Sequence, residues 1–237
     1  ETMKLVVISM AGKIGKSTLA ATMFMPRLKN PKFFSIETIN SGAEMDGVEV
    51  EKMKGKNFGD LTDEIMRLDS AIIDVGTTNF DDFIKLMQQF SGSQEEFDFF
   101  VVPVVKDEKS QRDTVKTLRQ LKALGVDKKR VRVVFNQVDV DDDVENDFAA
   151  IFGLCESEKC AMVNKNAVVY KNEVFDRIKS FGKPLGDIST DQTDYRAKLR
   201  EAKTEDEKDD AIAMIQLKRL AISANKNLDD AFAALFK

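Results

Sequence analysis

Short apolar runs alternate with amphipathic stretches along the first two thirds of the chain. The runs occupy residues 5–8, 33–36, 71–73, 99–105 and 131–135. A short run that is almost without polar side chains is typical of a strand buried on both faces of a sheet. Strands of this kind are usually parallel, so the pattern predicts a mostly parallel sheet.

The stretches between the runs have the spacing of helices. They cover residues 17–25, 60–68, 81–89, 110–124 and 147–152. Parallel strands need connections of about this length, usually helical. We therefore predict an α/β domain over residues 1–190, with helices on both faces of a doubly wound sheet in three layers.

The chain changes character after about residue 190, where segments rich in Ala, Leu, Lys and Glu follow one another without Gly or Pro. These segments are residues 193–202, 204–223 and 228–236. They predict a helical extension over 191–237. One apolar stripe, interrupted by a lysine, consists of Ala211, Met214, Ile215, Lys218 and Ile222. We interpret it as a helix face packed on the sheet domain, and a surface for a partner is the alternative.

Composition narrows the chemistry. The 237 residues are 43% hydrophobic, enough for a substantial core, and no apolar run approaches the roughly 18 residues of a membrane helix. The net charge of −5 offers no broad attraction for nucleic acid or anionic lipid, so any DNA contact needs a local patch. The chain has no histidine, which excludes Ser-His, Cys-His and His-metal sites. Carboxylates, lysines, backbone amides and Mg²⁺ are left as the chemical tools.

Two cysteines, Cys155 and Cys160, are the only ones in the chain. They are too few for a disulfide framework, and without histidine their spacing gives little reason to propose zinc. We interpret them as reduced thiols, which predicts a cytoplasmic protein.

A glycine-rich turn joins the first predicted strand to the first predicted helix. It consists of Ala11, Gly12, Lys13, Ile14, Gly15, Lys16, Ser17 and Thr18. Backbone N–H groups in such a turn surround phosphate oxygens, and the helix N-terminus favours an anion. Lys16 would supply a cation to the terminal phosphates, Ser17 a hydroxyl for Mg²⁺, and Thr18 a contact to the inner phosphate. The turn departs from the G-x-x-x-x-G-K-[ST] pattern because Met10 replaces the first glycine, and a plain turn with a solvated lysine is the alternative.

These residues resemble the ParA/MinD family of ATPases, whose phosphate loop reads K-G-G-x-G-K-[ST]. The resemblance covers about residues 3–190 and implies a P-loop NTPase fold that binds ATP or ADP with Mg²⁺. It also implies that Asp74, in Ile-Ile-Asp-Val-Gly, lies near Mg²⁺ and the attacking water. Asn136 and Asp139, in Val-Val-Phe-Asn-Gln-Val-Asp, would contact the base, which the resemblance suggests is adenine.

Two departures from the family pattern bear on hydrolysis. Ala11 stands where the family has a signature lysine that reaches across a nucleotide sandwich dimer, and Lys13 is the nearest lysine. Where the family has D-x-D, this chain has Glu37-Thr38-Ile39. Glu37 could act near Mg²⁺ through a water, but Ile39 cannot act as a base. Hydrolysis is therefore expected to be slow, or to use Asp46 in the 42–47 loop.

Each of these site residues has a plainer interpretation. Asp74 could cap a helix, Asn136 and Asp139 could form a turn, and Glu37 could be a solvated charge at a strand end. The acidic run 141–143 lacks the spacing of a calcium loop and is interpreted as solvated. The densest basic stretch is a solvated loop or a contact for DNA phosphates, and it consists of Lys128, Lys129, Arg130 and Arg132.

The sequence thus predicts an ATP-binding ParA/MinD-like ATPase or an ATP-dependent switch. The short loops that carry Lys-Ile-Gly-Lys-Ser and Asp-Val-Gly are most similar to the plasmid-stability StbB branch of the family. This resemblance implies a role in plasmid stability, partition or conjugative transfer. The resemblance also implies a homodimer or other self-association, and a DNA-binding adaptor protein or DNA as partner. Two alternatives are a nucleotide-loaded positioning scaffold with negligible hydrolysis, and small-molecule phosphoryl transfer or ligation, as in dethiobiotin synthetase-like relatives.

Overall fold

A computed structural model of the chain describes residues 1–36, 51–53 and 58–237. It contains one seven-stranded sheet with the order β3-β2-β4-β1-β5-β6-β7, in which every described pairing is parallel. The strands are β1 Lys4–Val7, β2 Lys32–Ile36, β3 Glu51–Met53, β4 Ala71–Val75, β5 Phe99–Val104, β6 Val131–Val138 and β7 Val168–Tyr170. The predicted parallel α/β architecture is confirmed.

Helices connect these strands and follow the last of them. They are α1 Lys16–Leu19, α2 Phe58–Arg67, α3 Phe80–Gln89, α4 Glu108–Ala123, α5 Val144–Asp147, α6 Ala149–Glu158, α7 Val174–Phe181, α8 Leu185–Thr190, α9 Tyr195–Glu201 and α10 Glu205–Leu235. The first helix continues as a π-helical turn, Ala20–Phe24, and a 3₁₀ turn, Met25–Arg27. Among the described residues, no helix has the length and apolar character needed to cross a bilayer.

The sheet has a hydrophobic core on each face, which gives the three layers that the sequence predicts. Val6 and Ile8 point into one core, which α2, α3, α4 and α6 cover. Leu5 and Val7 point into the other, which α1, α7, α8 and α10 cover. Because side chains of a strand alternate between the two faces, β1 is buried on both sides. The residues that follow β1 are therefore anchored at the centre of the sheet.

The C-terminal segment is a single long helix from residue 205 onward, and not the two helices that the sequence predicts. A capping box of Thr204 and Glu207 starts it. Its buried side includes Leu217, Ala221, Ala224, Leu228, Ala231 and Leu235. The predicted stripe is wrong at its end, because Ile222 is 51% exposed. The helix packs on the sheet, which supports the core-facing interpretation of the extension. The boundary at residue 190 stays a prediction.

Candidate functional site

The glycine-rich turn lies at the carboxyl end of β1, where the order of the strands changes direction. The chain places β2, β3 and β4 on one side of β1, and β5, β6 and β7 on the other. In open parallel sheets, ligands bind at this point, beyond the carboxyl ends of the strands. The predicted phosphate loop therefore occupies the position that the fold favours for a ligand.

The loop contains two residues in the left-handed region of backbone conformation. Lys13 has a φ of 57° and Gly15 has a φ of 83°. A glycine-rich turn with left-handed residues ahead of a helix is the geometry of an anion-binding nest. Gly12 and Lys13 are exposed and Ile14 is buried, so the loop is anchored in the core at Ile14 and faces solvent at Gly12 and Lys13.

Asn136, near the end of β6, makes a hydrogen bond to the loop. Its side-chain Nδ2 donates to the carbonyl oxygen of Ile14 at 2.7 Å, and the side chain is buried. A Cβ atom on Gly15 would lie 2.5 Å from the same Nδ2. The structure therefore gives Asn136 a role in shaping the loop that the sequence did not predict. A contact of Asn136 with a base stays a prediction.

Replacing Gly15 by alanine is expected to destabilise the fold by about 2 kcal/mol and to weaken ligand binding. The new methyl group would clash with Asn136. The alanine would also have to adopt a left-handed backbone conformation, which costs an L-residue about 1–2 kcal/mol. Gly92→Ala is the matched control, because Gly92 has a φ of 90° but no neighbouring atom within 4 Å of the added Cβ. Urea unfolding measures both variants, and an equal loss would show that the contact with Asn136 is unimportant.

Lys16 and Ser17 at the start of α1 are tied to the end of β4. Lys16 Nζ donates to Ala11 O at 2.8 Å and to Thr77 Oγ1 at 2.7 Å. Ser17 Oγ donates to Asp74 Oδ2 at 2.5 Å, and Asp74 is fully buried. The structure thus brings the predicted cation, hydroxyl and acid together at one end of the loop. A hydroxyl and a carboxylate are the oxygen ligands that Mg²⁺ prefers, so this pair fits the predicted metal role.

A cleft of about 690 Å³ opens beside the loop, and Asp74 is not among its lining residues. Lys13, Gly15, Thr18 and Asn136 line one wall, and the segment from Val169 to Lys179 contributes the other. This volume falls in the range of small-molecule sites. Sequence reasoning missed the second wall, because β7 is only three residues long.

Asp139 lies outside the residues that line this cleft. Its carboxylate pairs with Lys171 Nζ at 2.8 Å, and both side chains are more than half exposed. Lys171 itself does line the cleft. The structure therefore places Asp139 one residue away from the site, and its contact with a base stays a prediction.

Glu37 and Asp46, the two residues suggested for the hydrolytic step, lie outside the described residues, as does Ile39, which cannot act as a base. Thr77 was missed in the sequence, although it follows Asp74 by three positions and carries a hydroxyl. That signal was available, because residues just beyond the carboxyl end of a central strand lie at the ligand-binding edge.

Two arginines of the basic stretch, Arg130 and Arg132, make contacts within the fold. Arg130 donates to Glu95 at 3.0 Å. Arg132 donates to the carbonyls of Leu235 and Lys237 and lies over the ring of Phe99, and burial lowers the pKa of its guanidinium. Lys128 and Lys129 are exposed. A DNA contact at this stretch stays a prediction and would rest mainly on those two lysines.

Both cysteines are buried thiols, with Sγ atoms 4.0 Å apart. In the part of the chain that the structure describes, no group of three or more His, Cys, Asp or Glu side chains is arranged to hold a metal ion. Both cysteines belong to the hydrophobic core that contains Val6 and Ile8.

No protein-family model matches the chain, and no curated protein matches its sequence. Solved structures do match. The MinC:MinD cell division complex of Aquifex aeolicus aligns with a TM-score of 0.56 at 13% identity, covering 96% of both chains. The chain has the fold of the MinD and ParA ATPases. A ParA family ATPase from Chlorobium tepidum gives a TM-score of 0.56 at 12% identity, over 95% of this chain and 99% of that one. An ATP complex of a McdA variant from Cyanothece gives 0.50 at 12%, over 96% of each.

At these identities the comparisons establish the MinD/ParA fold alone. They agree with the resemblance that the phosphate loop, Asp74 and Asn136 suggest in the sequence. The match covers nearly the whole chain, including α10, so the C-terminal helix falls within the region that aligns with the MinD/ParA structures. The narrower StbB assignment stays a prediction.

Proposed function

We propose that the chain is an ATP-binding ParA/MinD-like ATPase, or an ATP-dependent switch, of the cytoplasm. The observation that carries the proposal is the meeting of Lys16, Ser17 and Asp74 at one end of the glycine-rich loop. The three groups are a cation, a hydroxyl and a buried carboxylate, which suit a triphosphate with a divalent metal. The cleft at the other end of the loop has room for a nucleoside.

Each part of the site then has a role in binding. Backbone N–H groups of residues 12–18 hold the phosphates, and Lys16 neutralises the terminal ones. Thr18 would contact the inner phosphate. Ser17 and Asp74 would hold Mg²⁺, Asp74 directly or through a water. Bound Mg²⁺ would neutralise charge that develops on the phosphates. Adenine would occupy the cleft beside Asn136, within reach of Asp139. ADP would remain after hydrolysis, a step in which Glu37 would act near the metal.

Ala11 favours a second candidate, a nucleotide-loaded positioning scaffold with negligible hydrolysis. The Ala11 side chain is buried and clusters with Ile14 and Val105. A methyl group thus stands where the family has a cation for the partner subunit's nucleotide, and Lys13 lies two residues further along the chain. Phosphate release measured alone, with DNA and with a DNA-binding adaptor separates the two candidates. Sustained turnover in any condition excludes the scaffold.

The cellular role we propose is plasmid stability, partition or conjugative transfer, from the resemblance to the StbB branch. One structural neighbour is a cell division complex of MinD with MinC, which supports the proposal of a protein partner. We also propose self-association around nucleotide. Sedimentation velocity with and without a non-hydrolysable ATP analogue tests it, and an unchanged sedimentation coefficient would argue for a monomer.

Calorimetric titration of the folded protein tests the central proposal. ATP and ADP should bind with Mg²⁺, and chelation of Mg²⁺ should weaken the binding of ATP more than that of ADP, because ATP carries more phosphate charge for the metal to neutralise. Circular dichroism and a cooperative thermal transition establish that the sample is folded. Absence of binding by both nucleotides in such a sample would exclude the nucleotide-binding role.

A further inference from the structure

Thr77 is joined to the phosphate loop by two hydrogen bonds. Its Oγ1 accepts from Lys16 Nζ at 2.7 Å and donates to Ala11 O at 3.1 Å. A Cβ atom on Gly12 would lie 3.9 Å from both Cγ2 and Oγ1 of Thr77, so the threonine side chain lies against the first glycine of the loop. The hydroxyl therefore contacts the loop residues that flank the proposed phosphate site.

Thr77 is also held from the other side, by the connection between β4 and α3. Gly76 N donates to Ile36 O at 2.9 Å, and Asn79 N donates to Gly76 O at 2.9 Å, which closes a 3₁₀ turn over Thr77–Asn79. Asn79 is buried at the start of α3. A change in the bond between Lys16 and Thr77 therefore acts on the 3₁₀ turn that leads directly into α3.

Thr77 lies at the end of the loop that would hold the outermost phosphate. The cleft proposed for the nucleoside is lined by Lys13, Gly15 and Thr18 on the loop side, and Gly12 and Thr77 are not among its lining residues. A nucleotide that starts in this cleft and runs along the loop reaches Thr77 last. ADP is shorter by one phosphate and would extend less far toward Thr77.

The Thr77 hydroxyl accepts a hydrogen bond from Lys16, as a phosphate oxygen would. A threonine hydroxyl has one hydrogen and two lone pairs. The hydrogen is directed to Ala11 O, so the side of Oγ1 that faces Lys16 carries lone pairs. Phosphate oxygens are acceptors too, so an outermost phosphate that reaches Lys16 would compete with the Thr77 oxygen for the same ammonium group.

We infer that the Thr77 hydroxyl competes with the outermost phosphate of ATP for Lys16 and thereby sets the preference between ATP and ADP. The inference rests on the proposed function. It makes Thr77 a positioning residue that acts through Lys16. When ATP binds, Lys16 exchanges Thr77 for a phosphate oxygen, and the turn that precedes α3 loses one of its ties to the loop.

Thr77→Val tests this inference, because valine keeps the branched shape and removes the hydroxyl. The affinity for a non-hydrolysable ATP analogue, divided by that for ADP, should rise about tenfold. A factor of ten corresponds to about 1.4 kcal/mol, which is close to the lower end of the contribution of a hydrogen bond to a charged group. Thr77→Ser should restore the original ratio. Thr190→Val is the control, because its hydroxyl bonds within its own helix to Gly186 O.

Calorimetry with both nucleotides on each variant separates the failures. An unchanged or lowered ratio in Thr77→Val, while the original protein binds both nucleotides, would overturn the role of Thr77 and leave the proposed function standing. Loss of binding in the original protein would overturn both. Thr77→Ala carries the same test if the valine variant does not fold, because it also lacks the hydroxyl.

Discussion

Replacing Lys16 by methionine is expected to weaken ATP binding about 100-fold. Methionine keeps an unbranched stem in this buried position and removes the ammonium group, which donates to Ala11 O and Thr77 Oγ1. Hydrogen bonds to charged groups contribute about 1.5–3 kcal/mol, and about 2.8 kcal/mol corresponds to a factor of 100 in Kd. Isothermal calorimetry with ATP and Mg²⁺ measures the change.

Lys29→Met is the matched control for this prediction, because Lys29 is an exposed lysine that follows the same helical segment. It should bind ATP as the original protein does. Thermal unfolding of both variants shows whether the loop survives the loss of the Lys16 contacts. A folded Lys16→Met protein with unchanged affinity would mean that the phosphates bind elsewhere, and the account of the loop would be wrong.

The sheet could be predicted from the sequence because its central strands are buried on both faces. Such strands read as apolar runs, and β1, β4 and β5 lie where those runs do. β3 and β7 were missed as strands. Each has only three residues and each lies at an edge of the described sheet, where pairing and position define a strand more than composition does. Local pattern carries little information about such strands.

The phosphate loop could be predicted for a different reason. A chain that must bring backbone N–H groups close to an anion needs glycine, lysine and a hydroxyl at fixed offsets, so the motif is local in sequence. The contacts of Asn136 with Ile14 and of Thr77 with Lys16 join residues far apart in the chain, 122 and 61 positions respectively. No local pattern reports such contacts, and they emerge only when the sheet brings the ends of β1, β4 and β6 together.

The C-terminal helix shows how a polar segment can mislead. The sequence around Asn225 and Asn227 resembles a break, since asparagine is a poor helix former. In the structure Asn227 pairs with the edge strand β7, donating to Val168 O and accepting from Tyr170 N, both at 3.0 Å. Asn225 accepts from Arg27, next to the turns that extend α1. Tertiary hydrogen bonds thus outweigh local propensity and keep the helix continuous.

The continuity of this helix decides which of its residues stabilise the fold. Leu228→Ala is expected to lower the free energy of unfolding by about 3 kcal/mol, because Leu228 is fully buried in the core that contains Leu5 and Val7. Ile222→Ala should change it by less than about 0.5 kcal/mol, since that side chain is 51% exposed. Urea unfolding of both variants gives the comparison. The stripe expected from the sequence has Ile222 on the buried face, so a large loss at Ile222 and a small one at Leu228 would restore that register and reject the packing of α10 described above.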